Sequence, residues 1–274
     1  MAERARGEVL FGVAGWTYED WKDVVYPRNC KDTLRAVAQR VDVVEINSTF
    51  YGLPSAKNCR SWAERTVDLG TRFTAKLPQA FTHERRFDGA LVAQVREGFE
   101  PLVASGRLLA LLAQFDHSLA CGPAAIELLA RLAQAFGDLV PLCVEVRHPS
   151  WNAAVALEAL RGLRVGALEL DYPGMVGGFS RDVTGVHAPG GLAYFRLHGR
   201  NRAWFRKGAG RDEVYDWRYA PDEVRQLEQR IQRIAATAAR TVVVANNHFH
   251  GKAMAVVEEL LAWYRGDGLP DGAP

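Results

Sequence analysis

Three pairs of polar residues stand two apart at the ends of apolar runs: Glu45 with Asn47, Glu145 with Arg147, and Arg196 with His198. Side chains alternate along a strand, so each pair shares one face. Carboxylates, guanidinium groups, an amide and an imidazole on one surface could hold an anion, move a proton or ligate a metal. Glu45 lies inside the run Val43-Val44-Glu45-Ile46. A buried carboxylate is costly unless paired, so Glu45 requires partners from elsewhere in the chain.

Other polar groups fall at matching places. Trp16 follows the first apolar run, and Lys76, Gln114, Asp171 and Asn246 each close a later one. Of the seven histidines, all but His187 come within a few residues after such a run. Imidazole suits proton transfer near neutral pH and, when neutral, binds divalent metals. His198 and His248 are the strongest candidates, and His83 belongs to the same rim.

These groups must be carried by strands. Short apolar, β-branched runs predict eight: 10–14, the run around Glu45, 72–78, 108–115, 142–146, 165–170, 192–197 and 241–245. The unbroken apolar run at 108–115 is that of a strand buried on both faces. Helical patterns follow at 31–40, 56–67, 90–104, 124–136, 153–160, 221–239 and 252–264. Alternation of this kind, at this length, predicts an α/β fold, a single (β/α)8 TIM-type barrel over residues 1–265, with its site at the C-terminal ends of the strands. A doubly wound open sheet is the rival, and the absence of GxGxxG and Walker loops weighs against its nucleotide-binding form. The Gly/Pro/Asp-rich tail, 266–274, reads as unstructured.

The chain has 274 residues, 48% of them hydrophobic, which is enough for a large core. A net charge of +2 creates no demand for a nucleic-acid partner. No apolar run reaches 18 residues and the charged N-terminus lacks a signal-peptide core, so no membrane association and a cytoplasmic location are expected. Cys30, Cys59, Cys121 and Cys143 form no CxxC and read as reduced packing thiols, with Cys143 buried in a strand. The stretch 199–219, GRNRAWFRKGAGRDEVYDWRY, is rich in Arg and aromatic residues. Long loops of this kind in compact domains serve as lids or binding loops, and Arg with aromatics also suits single-stranded nucleic acid. Arg85 and Arg86 could extend the same basic rim.

GWTYEDW, VEINSTFYGLPS, FTAKLPQAFTH, VEVRHPSW, YFRLHGRN with YDWRY, and NNHFHGKA occur in this order. Together they resemble the YecE-like family, also called domain of unknown function seventy-two. The resemblance runs from about Gly12 to Ala255. It implies a TIM-type barrel and carries over no established reaction. It also implies that Trp16, Glu45, Asn47, Phe50, Tyr51, Lys76, His83, Glu145, Arg147, His148, Trp151, Arg196, His198, Arg200, Asn246 and Asn247 are motif positions. Strand four departs: where such proteins carry QxPPxF, this chain has Gln114-Phe115-Asp116-His117-Ser118.

The leading expectation is a hydrolase acting on an anionic, phosphate-bearing substrate at the barrel mouth. Arg147, Arg196 and Lys76 hold the anion, Glu145 is base or metal ligand, and His198, with His248, is acid or second ligand. A divalent metal is the candidate cofactor. Trp16, Asn47, Tyr51, His83, Trp151, Arg200, Tyr215, Asn246 and Asn247 complete the binding set. A glycoside-acting enzyme would instead pair the carboxylates of Glu45 and Glu145, with Trp16 and Trp151 as sugar platforms. A non-enzymatic module would bind a nucleic-acid fragment through 199–219. The oligomeric state is left open.

Overall fold

β1 (Glu8–Ala14) is buried at every position after its first, because both of its faces are covered. The same holds for β2 (Val43–Ile46), β3 (Arg72–Lys76), β4 (Leu108–Gln114) and β5 (Leu142–Glu145), apart from single end residues. β6 (Gly166–Ala167), β7 (Glu169–Asp171), β8 (Leu192–Leu197) and β9 (Arg240–Ala245) complete the set. The computed structural model describes residues 7–173 and 184–266. The expected unstructured tail lies almost wholly outside the described residues.

All nine segments form one parallel sheet in the order β6-β5-β4-β3-β2-β1-β9-β8-β7. The two outermost segments adjoin in sequence, separated only by Leu168. They occupy the expected sixth strand, 165–170, whose first half pairs with β5 and second half with β8. Leu168 bridges the break by donating its N–H to Val144 O at 3.0 Å. The sheet therefore closes on itself, and the fold is an α/β TIM-type barrel.

The interruption has a local cause. Ala167 N donates to Val186 O (2.9 Å), so a later segment takes the place of a ladder partner. A Cβ on Gly166 would lie 2.8 Å from Ala188 N, and only glycine allows that approach.

Helices follow seven of the eight strand positions: Thr33–Ala38, Ala56–Arg65, Gly89–Ala104, Pro123–Phe136, Ala154–Gly162, Pro221–Ala235 and Lys252–Arg265. Asp32, Ser55 and Asp88 cap the first three by accepting from backbone N–H groups of the first turn. Among the described residues no helix lies between β7 and β8, and none is long and apolar enough to cross a membrane. The four cysteines are unpaired, and burial pushes the Cys59 and Cys143 thiols up to about 12.

The stretch 199–219 is not structureless. It contains helical turns at Arg202–Phe205 and Arg211–Val214. Asn201 ties it together: Nδ2 donates to Glu213 O and Asp216 O, both at 2.8 Å, and Oδ1 accepts from Ala203 N at 2.9 Å.

Candidate functional site

Parallel strands place all their C-terminal ends on one rim, so polar residues there converge. At the centre is Arg196 on β8, fully buried. Its Nη2 donates to Glu45 Oε1 at 2.8 Å, and its Nη1 donates to Glu145 Oε2 and to Gln114 Oε1 (3.1 Å). One guanidinium thus bridges both buried carboxylates. Glu45 Oε2 accepts from the Tyr194 hydroxyl at 2.5 Å, and that hydroxyl also lies 2.7 Å from Thr74 Oγ1. The partners that Glu45 required are Arg196 and Tyr194.

Glu145 Oε1 accepts from Nε (2.9 Å) and Nη2 of Arg147. Burial alone would raise the Glu145 carboxyl; the charges of Arg196, Arg147 and His198 outweigh it and hold it well below the usual carboxylate range. His198 is also fully buried. Asn246 Nδ2 donates to its Nδ1 at 3.1 Å, which leaves the ring proton on Nε2. That nitrogen lies 3.4 Å from Glu145 Oε1, near enough to feel its charge but too poorly aligned for a full hydrogen bond. Burial dominates and pushes His198 down to about 4, so its ring is neutral above that pH.

A cavity of about 350 Å³ opens at this rim. Its walls are Gly15, Trp16, Thr17, Tyr18, Asn47, Ser48, Tyr51, Lys76, Tyr215, Asn246 and His248. Lys76 is 8% exposed. Burial, and then the charge of Arg196, push its amine down to about 8, against the pull of Glu45 and Glu145. The His248 ring stacks on Tyr18 at 4.4 Å and lies 4.7 Å from Tyr215. Burial raises the Tyr215 phenol, so it stays protonated near neutral pH.

The expected site residues divide into three groups. Glu45, Glu145, Arg147, Arg196 and His198 form the interior network. Trp16, Asn47, Tyr51, Tyr215, Asn246 and His248 line the cavity, and Lys76 belongs to both groups. The remainder serve elsewhere. Trp151, expected as a sugar platform, is fully buried and donates Nε1 to Leu119 O at 2.8 Å, so it is a core residue. Arg200 is spent on Asp171, which it grips through Nε and Nη2 at 3.0 Å, and on Gln226. Asn247 anchors the long loop, its Nδ2 donating to Trp217 O at 2.8 Å. His83 is exposed outside the cavity walls, with Nδ1 2.9 Å from Thr82 Oγ1. Arg147 and Arg196 each bind carboxylates and are not among the cavity's walls, so of the three cations expected to hold an anion Lys76 is the one that lines it.

Among the described residues no three His, Cys, Asp or Glu side chains group as a metal-binding set. Tyr194, Thr74 and Tyr18 were not foreseen. Tyr194 stands two residues before Arg196 and Thr74 two before Lys76, so strand alternation could have found both. Tyr18 stands two after Trp16 in the same motif.

The model of the family described as "Protein of unknown function DUF72" matches residues 10–269. The UPF0759 protein YunF of Bacillus subtilis (strain 168) is 23% identical over 261 residues, which cover 89% of this chain and 90% of that protein. The crystal structure of a DUF72 family protein (TM1631) from Thermotoga maritima MSB8 superposes with a TM-score of 0.83 at 29% identity, covering 94% of this chain and 99% of that one. D-psicose 3-epimerase with D-tagatose, from Clostridium cellulolyticum H10, superposes with a TM-score of 0.53 at 13% identity, covering 94% and 98%, and shares the fold alone. With almost its whole length matched, and with the motif residues gathered on one rim, this chain belongs to the DUF72 family, whose function is unassigned.

Proposed function

We propose that the cavity at the barrel mouth is the active site of an enzyme acting on a small anionic molecule, and that hydrolysis of a phosphoester is its reaction. One observation carries this reading: Lys76 is the network's one cation that lines the cavity. Its backbone is fixed, since Thr49 Oγ1 donates to its carbonyl at 2.7 Å. A substrate anion therefore meets Lys76, while the two arginines neutralise Glu45 and Glu145 beneath it.

The roles change accordingly. Glu145 accepts from two arginines and its carboxyl is held well below the usual range, so it is a weak base. Its part is to fix the arginines and shape the field. His248, on the cavity wall, is the group placed to move a proton to or from a bound water. The glycoside reading finds Arg196 where a scissile bond between the two carboxylates would lie. The nucleic-acid reading loses Arg200 to Asp171 and Arg206 to Glu213.

The test is a phosphomonoester panel assayed on wild type, Lys76→Met and His248→Gln, with folding checked by circular dichroism. Turnover should appear in wild type and fall at least ~100-fold in each variant, the usual scale for general acid–base groups. No turnover in wild type, or full turnover in both variants, would remove the assignment.

A further inference from the structure

We propose that the molecule taken by this cavity is a hydroxylated organophosphate, a polyol or sugar phosphate, with one of its hydroxyls donating to Asn47 Oδ1. This rests on the reading of Lys76 as the anion partner. It adds what the rest of the molecule must look like.

The starting point is an acceptor left over. Asn47 closes β2 and begins the helical turn Ser48–Tyr51. Asparagine at such a position ordinarily turns its amide oxygen onto an N–H of the turn. Here it makes no capping hydrogen bond. Its Oδ1 is buried and has no hydrogen-bond partner. Buried acceptors are rarely left so, because the solvation lost is not returned. The residue lines the cavity, so a molecule bound there can supply the missing donor once the amide turns toward it.

The charge around it selects the donor. β2 and β3 are paired in register up to Ile46 and Ala75. Asn47 follows β2 and Lys76 ends β3, so the register sets the two residues beside each other, and both line the cavity. An ammonium or guanidinium donor would be brought against Lys76, with Arg196 close behind. A neutral donor avoids that repulsion, and a hydroxyl is the small neutral donor that a phosphoester's carbon skeleton carries most simply. Trp16 and Tyr51 on the wall are aromatic neighbours for its C–H groups. A volume of about 350 Å³ takes a molecule of that size.

The inference can be tested with non-hydrolysable probes, so that turnover does not intervene. Calorimetric titration at pH 7 compares 2,3-dihydroxypropylphosphonate with propylphosphonate, which differ only in the hydroxyls, on wild type, Asn47→Leu, Asn47→Ala and Lys76→Met. Wild type should bind the hydroxylated probe at least tenfold more tightly. That margin should collapse in both Asn47 variants while propylphosphonate affinity is kept. Lys76→Met should lose both probes. Equal affinity of the two probes for wild type, or an unchanged margin in both Asn47 variants, overturns this inference and leaves the anion reading standing. If neither probe binds wild type, the anion reading fails and this one falls with it.

Discussion

Lys76 is a lysine whose charge the fold disfavours and the substrate would need. Burial and Arg196 bring its amine down to about 8, whereas an ordinary lysine titrates near 10.5. Anion binding through Lys76 should therefore weaken as pH rises through about 8, and a phosphonate titration from pH 6 to 10 reads this directly. Affinity that does not fall between pH 7 and 10 in wild type would show that Lys76 is not the partner. Stability moves the other way. Between about 8 and 10.5 the unfolded chain binds more protons at this position than the folded one, so this residue's contribution to stability rises with pH there. The identities of such residues were legible in the sequence, because a period of two puts Glu145 with Arg147 and Arg196 with His198 on shared faces. Their allegiances were not. Nothing in the spacing says that Arg196 bridges Glu45 and Glu145, two carboxylates on different strands. Trp151 was misplaced for the same reason: residue type suggests a platform, but burial is decided by where the turn Pro149–Asn152 packs.

The stretch 199–219 supplies part of the wall of the site. It delivers Tyr215 to the cavity and Trp204 to a place 5.4 Å over the Arg147 guanidinium. Its two ends are fixed at Gly199 and Tyr219, where Gly199 N donates to the Tyr219 hydroxyl (3.0 Å), which itself donates to Asp171 Oδ2 (2.8 Å). Between them the three hydrogen bonds of Asn201 hold the turn. Asn201→Ala should cost about 1–3 kcal/mol, the scale for leaving such groups unmade, and the loss should be local. Hydrogen exchange should accelerate across 202–216 while β8 stays protected. Unchanged exchange in that stretch would mean that Asn201 is not its pin. Composition showed that this segment was unusual, since Arg and aromatics cluster there. It did not show that Arg200 turns inward, because its partners Asp171 and Glu223 lie more than twenty residues away in sequence. The sixth strand was likewise legible as one run, 165–170, and its break was not. The break depends on Val186 O reaching Ala167 N from about twenty residues away.

A closed barrel has no free edge, but its joints are unequal. β1 pairs with β9 over six residues and β8 with β9 over six, whereas β5 meets β6 over two and β7 meets β8 over three. The ring is thinnest at the interrupted strand, with Leu168 N on Val144 O as the bridge. This joint matters to the site, because β5 carries Glu145 into Arg147, and β7 ends at Asp171, which holds Arg200 and Tyr219. Local opening follows the number of protected backbone bonds and packed contacts, so the joint should open before the rest. Amides of 166–168 should exchange by a partial opening, well ahead of Val242, Val243 and Val244 on β9. Gly166→Val should exaggerate this. Even its Cβ would meet Ala188 N at 2.8 Å, Ala188 Cβ at 2.9 Å and Cys143 Sγ at 3.2 Å, so the segment must move off its neighbours. Overpacking of this kind costs roughly 1–3 kcal/mol. The melting temperature should fall, and the gain in exchange should concentrate in β5, β6 and β7. If Gly166→Val instead loosened β1 and β9 to the same extent, the barrel would be opening as one cooperative unit, and closure at Leu168 would be as strong as any other joint.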